Sequence, residues 1–143
     1  MRTLISVLFV LLLCVSLPLS AEQFQRLGDL NVHYAVLNTR FLDPQIADTY
    51  RIIRAKDRAL VNVSLIDAQG NAVTANLDGS VTNLLGQVQP LMFRLIEEDS
   101  ARYYIATLKY SDQDTLRFSI HITRDGTDFG KVNFQQQLFW ESP

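Results

Sequence analysis

Residues 115–123 read Thr115-Leu116-Arg117-Phe118-Ser119-Ile120-His121-Ile122-Thr123. Leu116, Phe118, Ile120 and Ile122 occupy every second position, and the polar residues fill the gaps. A strand turns successive side chains to opposite faces, so unbroken alternation of this kind predicts a half-buried β-strand. Asp125-Gly126 follows, a pair suited to a two-residue hairpin turn. Residues 129–140 then carry Val132, Phe134, Leu138 and Trp140 and predict the returning strand.

The same reading extends towards the N-terminus. Leu30, Val32, Tyr34 and Val36 alternate with Asn31, His33 and Ala35 over residues 30–37. Val61, Val63 and Leu65 alternate with Asn62, Ser64 and Ile66 over residues 58–66. A turn is expected at 67–71, a short strand at 72–77, a turn at Asp78-Gly79-Ser80 and a bent edge over 81–85. Residues 88–97 predict one longer apolar strand, and residues 103–110 another, with Tyr104, Ala106, Leu108 and Tyr110 on one face. The exception lies at 44–50. Asp43 before Pro44 is an N-cap followed by proline at the first helical position, and Ile46, Ala47 and Tyr50 fall at helical spacing. One short helix and seven or eight strands predict a mainly β fold, an antiparallel, immunoglobulin-like β-sandwich without the disulfide of antibody domains.

The N-terminal residues obey a different rule. Arg2 precedes an apolar run over residues 4–15, then come Pro18 and the small residues Ser20 and Ala21. This is the order of a cleavable secretory signal, too short for a spanning helix of about 20 residues. Residues 1–21 are therefore expected to be removed, which leaves residues 22–143 as a single periplasmic domain with no transmembrane span. The full chain has 143 residues, 48% hydrophobic and 20% charged, with a net charge of −2. That balance excludes a disordered chain and a generic nucleic-acid binder. Its one cysteine, Cys14, falls within the signal, so the exported domain would hold neither disulfide nor thiol.

Chemistry-bearing patterns are few. There is no nucleophile elbow, no Gly-rich phosphate loop and no calcium-loop spacing. No enzyme and no cofactor are expected. His33 and His121 are the only histidines, and strand parity turns both outward. A copper or zinc site would need them to converge with a third ligand, so no metal residues are assigned. The densest positive cluster is Arg51, Arg54, Lys56 and Arg58, interrupted by Asp57. It reads either as a site for an acidic partner or as a solvated helix-to-strand junction. Asn83 and Gln87 flank Gly86 where the chain reverses, which suits a structural turn or a ligand-facing loop.

Three stretches carry a resemblance: FLDPQIADTYRIIRAKDRALVNVSLID at 41–67, NLLGQ at 83–87 and IEEDSARYYIATL at 96–108. Together they resemble an uncharacterised family of proteobacterial exported proteins, a domain of unknown function, over roughly residues 22–141. Arg54-Ala55 stands where relatives tend to have Arg-Ser. The resemblance implies export and an immunoglobulin-like sandwich, and it supplies no catalytic residue or ligand. The expected function is a non-catalytic periplasmic binding or protein-interaction module. Arg51, Arg54, Lys56, Arg58, Asn83 and Gln87 are its candidate contacts, and an unidentified periplasmic protein or envelope component is its partner. The alternative is a small periplasmic copper or zinc carrier.

Overall fold

A computed structural model describes residues 23–141. The expected signal at 1–21 lies outside the described residues. Two antiparallel sheets pack face to face. The five-stranded sheet holds β1 (Gln23–Leu27), β2 (Leu30–Asn38), β3 (Arg58–Ile66), β7 (Ala101–Lys109) and β6 (Arg94–Glu98), in that order. The four-stranded sheet runs β5 (Val88–Leu91), β4 (Asn76–Thr82), β8 (Asp114–Arg124) and β9 (Thr127–Leu138). A 3-10 turn, Thr39–Phe41, and one helix, α1 (Pro44–Thr49), join β2 to β3.

The inward faces are those that alternation marked. Val32 of β2, Val61 and Val63 of β3, and Ile120 and Ile122 of β8 are fully buried between the sheets. Phe134 of β9 stacks on Tyr34 at 4.1 Å and on Phe118 at 4.6 Å between ring centroids, tying the sheets together. At roughly 25 cal/mol per Å² of apolar surface, this burial is the main force holding the fold. The β8–β9 hairpin turns at Asp125 and Gly126, both with positive φ (50° and 75°), between the paired Arg124 and Thr127. Two consecutive left-handed residues give the backbone twist that a tight hairpin needs.

Three expectations change. There are nine strands among the described residues, against seven or eight expected. The additional strand, β1, is an edge strand whose exposed Phe24 and Arg26 show no inward apolar period. Residues 88–97 form two strands, not one. Met92 and Phe93 step the chain from β5 in the four-stranded sheet to β6 in the five-stranded sheet. Asp78-Gly79-Ser80 is the middle of β4, not a turn. Gly79 is there because the Phe93 ring lies over it: a Cβ would sit 2.8 Å from Phe93 Cε2 and 3.3 Å from Leu91 Cβ. The glycine serves the sheet crossing, a close-approach role.

Candidate functional site

The outer face of the five-stranded sheet is not left to solvent. Asp43 caps α1, its Oδ1 accepting from the N–H groups of Gln45 (2.8 Å) and Ile46 (3.3 Å), and Pro44 fixes the first turn. The helix ends in a Schellman motif. Ile52 N–H donates to Ala47 O (2.7 Å) and Arg51 N–H to Asp48 O (3.1 Å). Arg51 sits at the left-handed position (φ 55°) where glycine is the usual residue. This closure buries Ala47 and Ile52 against Leu60 of β3 and Ile105 of β7, a second small core outside the sandwich.

Beside that core lies an open apolar groove of about 670 Å³. Leu60, Asn62, Ile96 and Ile105 line it on the sheet side, Ile46 and Tyr50 on the helix side, and Asp43 and Glu98 add carboxylates. Asn62 Oδ1 is buried with no hydrogen-bond partner among the described residues. A buried acceptor left unpaired costs about 1–3 kcal/mol, so a ligand donor that reached it would recover that loss.

The basic cluster divides in two. Arg51 and Arg58 meet Arg94 around a smaller cleft of about 280 Å³, together with Ile53 and Met92. The Arg94 guanidinium donates to Tyr50 O and so holds the end of α1. Arg54 and Lys56 point elsewhere: the Arg54 guanidinium donates to Arg40 O (2.8 Å), and Lys56 Nζ lies 4.6 Å from the Trp140 ring centre. Asn83 and Gln87 spend their polar atoms on the turn itself. Asn83 Oδ1 accepts from the N–H groups of Leu85 (3.1 Å) and Gln87 (2.9 Å), and Asn83 Nδ2 donates to Gln87 Oε1 (2.7 Å). The turn exposes the apolar side chains of Leu84 and Leu85 beside the Gln87 side chain.

The histidines lie in different sheets. His33 of β2 stacks on Phe24 at 5.5 Å, and His121 of β8 contacts Asp128 Oδ1 at 2.7 Å. Among the described residues no group of three or more His, Cys, Asp or Glu side chains is placed to hold a metal ion. Asn62, Glu98, Arg94 and Ile105 were not singled out as site residues from the sequence. A shift in parity between Leu91 and Ile96 is the signal that would have exposed Arg94.

Known proteins were compared with this chain. A crystal structure of a DUF4426 family protein from Pseudomonas aeruginosa PAO1 is 37% identical, with a TM-score of 0.73, and the match covers 82% of this chain and 94% of that one. FetP of uropathogenic Escherichia coli strain F11, expressed in the periplasm, matches at 12% identity and a TM-score of 0.59, over 82% and 93% of the two chains. A copper-bound variant of FetP matches at the same identity and TM-score. These last two show likeness of fold. No curated protein matches the chain. Residues 24–141 match the family described as a domain of unknown function, DUF4426, and the chain belongs to that family.

Proposed function

We propose that this chain is a non-catalytic binding module of the periplasm, and that the groove between α1 and the outer face of the five-stranded sheet is its ligand site. The observation that carries the reading is the buried, unpartnered Asn62 Oδ1 on the sheet side of a groove of about 670 Å³, among Leu60, Ile96 and Ile105. Binding sites are typically concave and mainly apolar, with a few placed polar groups that orient the ligand. The ligand class is an apolar group bearing one N–H or O–H donor. Export is supported by the signal-like residues 1–21. No helix among the described residues is long and apolar enough to cross a membrane.

N-phenyl-1-naphthylamine, a neutral apolar amine with a single N–H, is the probe. Saturable fluorescence enhancement is expected for the wild type. Asn62→Leu should weaken it about tenfold while leaving stability unchanged or higher, because the substitution removes an unsatisfied acceptor. Equal binding by wild type and Asn62→Leu, or no saturable binding at all, overturns the reading.

A copper or zinc carrier is the second reading, prompted by the fold shared with FetP, one structure of which holds copper. At 12% identity the likeness speaks for fold and not for ligands. His33 of β2 pairs with Ser64 of β3 and so shares the outer sheet face with Asn62, outside the walls of the groove. Copper and zinc analysis of untagged wild type and His33→Ala decides between the readings: stoichiometric metal lost in the variant supports the carrier.

A further inference from the structure

A second surface adjoins the groove across Ile105. Arg51, Arg58 and Arg94 surround one cleft, and no acidic side chain lines it. Asp48 and Asp57, the nearest acids along the chain, are not in its walls. Neither Arg51 nor Arg58 forms an ion pair or side-chain hydrogen bond among the described residues, and Arg94 is spent only on a neutral carbonyl. Three guanidinium groups without a carboxylate make a site for negative charge.

Exposed apolar side chains accompany this charge. Met92 (79% exposed) and Ile53 (60%) line the cleft itself. The 83–87 turn lies at the same end of the sandwich. The Gln89 side chain donates to Lys109 O (2.7 Å) and accepts from Lys109 N–H (3.1 Å), and Lys109 pairs with Arg58 across the β3–β7 ladder. That ties β5, and the turn leading into it, to the strand end that carries Arg58. The turn exposes Leu84 and Leu85, the latter at 84%. Solvent alone would favour none of these apolar tips, and a small free anion would have no use for them. A bilayer surface satisfies both sets: headgroup charge for the arginines, and the acyl boundary for Leu84, Leu85, Met92 and Ile53.

We infer that this corner of the domain docks on an anionic lipid surface through the Arg51–Arg58–Arg94 cleft and the apolar side chains around it.

Co-sedimentation with vesicles tests it. The wild type should bind mixed phosphatidylcholine–phosphatidylglycerol vesicles, bind pure phosphatidylcholine poorly, and release as salt rises. The double variant Arg51→Gly/Arg58→Gln should bind about 30-fold more weakly, from the usual contribution of each basic residue at an anionic surface. Leu85→Ser/Met92→Ser should also lose vesicle binding, though its cleft arginines are intact. Arg124→Gln, at the far end of β8, should match the wild type. Circular dichroism confirms that each variant is folded. Failure of the wild type to bind, equal binding by the double variant, or capture of inorganic phosphate without vesicle binding would each overturn the inference.

Discussion

Asn38→Ala is expected to destabilise the domain more than any other single polar truncation. Asn38 and Thr39 are the buried polar residues among the described ones, at 1% and 0% exposure. Asn38 Nδ2 donates to Lys56 O (2.6 Å) and to the Tyr110 hydroxyl, and its Oδ1 accepts from Arg40 N–H (2.8 Å) at the head of the 3-10 turn. Alanine removes a cap worth about 1 kcal/mol. It also leaves the Lys56 carbonyl without this donor, and the Tyr110 hydroxyl with only its bond to Phe139 O. Each such loss costs about 1–3 kcal/mol, so the total is roughly 3–7 kcal/mol. In urea, with a slope of about 1–3 kcal/mol per molar, the unfolding midpoint should fall by about 2 M. Tyr110→Phe should cost less, and the double variant should cost less than the two singles combined, by about 1 kcal/mol, because both act on one network. A loss under about 1 kcal/mol for Asn38→Ala, or strict additivity with Tyr110→Phe, would refute the reasoning.

Other outcomes follow from the same geometry. Gly79→Ala should destabilise by about 1–3 kcal/mol, since the new methyl meets the Phe93 ring, and thermal unfolding reads it directly. Arg51→Gly alone should cost no stability and could add up to about 1 kcal/mol by relieving the left-handed arginine, as denaturant titration would show. Burial raises the Tyr110 pKa above its ordinary value of 10.0, with the Asn38 hydrogen bond opposing. The neutral phenol is therefore the folded form. Its contribution is complete below about pH 10 and lost as pH climbs through the raised value, so Tyr110→Phe should flatten the alkaline limb of the stability profile. Asp128 moves the other way, lowered from 3.8 first by the hydrogen bond with His121 and then by the Gly130 N–H. Its contribution holds above that ordinary value and fades as pH falls through the lowered one. His121→Ala should therefore reduce the loss of stability on acidification, measured against wild type.

Residues with a local signal were readable from the sequence. Leu116, Phe118, Ile120 and Ile122 face inward because a strand admits no other arrangement of that pattern. Asp43-Pro44 starts α1, and Asp125-Gly126 makes the hairpin, because their backbone needs are met within a few residues. Features that depend on distant chain were not readable. Gly79 looks like a turn residue until the Phe93 ring is placed over it. The run at 88–97 is rich in apolar residues (Val88, Leu91, Met92, Phe93, Leu95 and Ile96), so its hydrophobicity could not say that two sheets share it. Asn62 had only its parity, which places it on the outer face; that α1 would cover this face is a tertiary fact. The basic cluster was visible as four residues, yet only Arg51 and Arg58 meet, and their third member, Arg94, comes from another strand.

The division of that cluster has a structural cause. The segment between α1 and β3 is gripped on one side by buried polar side chains. Thr39 Oγ1 accepts from Ala55 N–H (3.0 Å) and donates to Ala55 O (3.2 Å), and Asn38 holds Lys56 O beside it. On the other side Arg94 holds Tyr50 O. Fixed at both ends, the segment sends Ile52 into the second core and sends Arg51 and Ile53 to the arginine cleft. Ile105 lines the apolar groove on one side of this strap and the cleft on the other. The groove and the cleft therefore share a wall, and any ligand that displaced the strap from one would alter the other. Loosening the strap with Asn38→Ala should accordingly weaken both probe binding and vesicle binding, even in conditions where the domain stays folded.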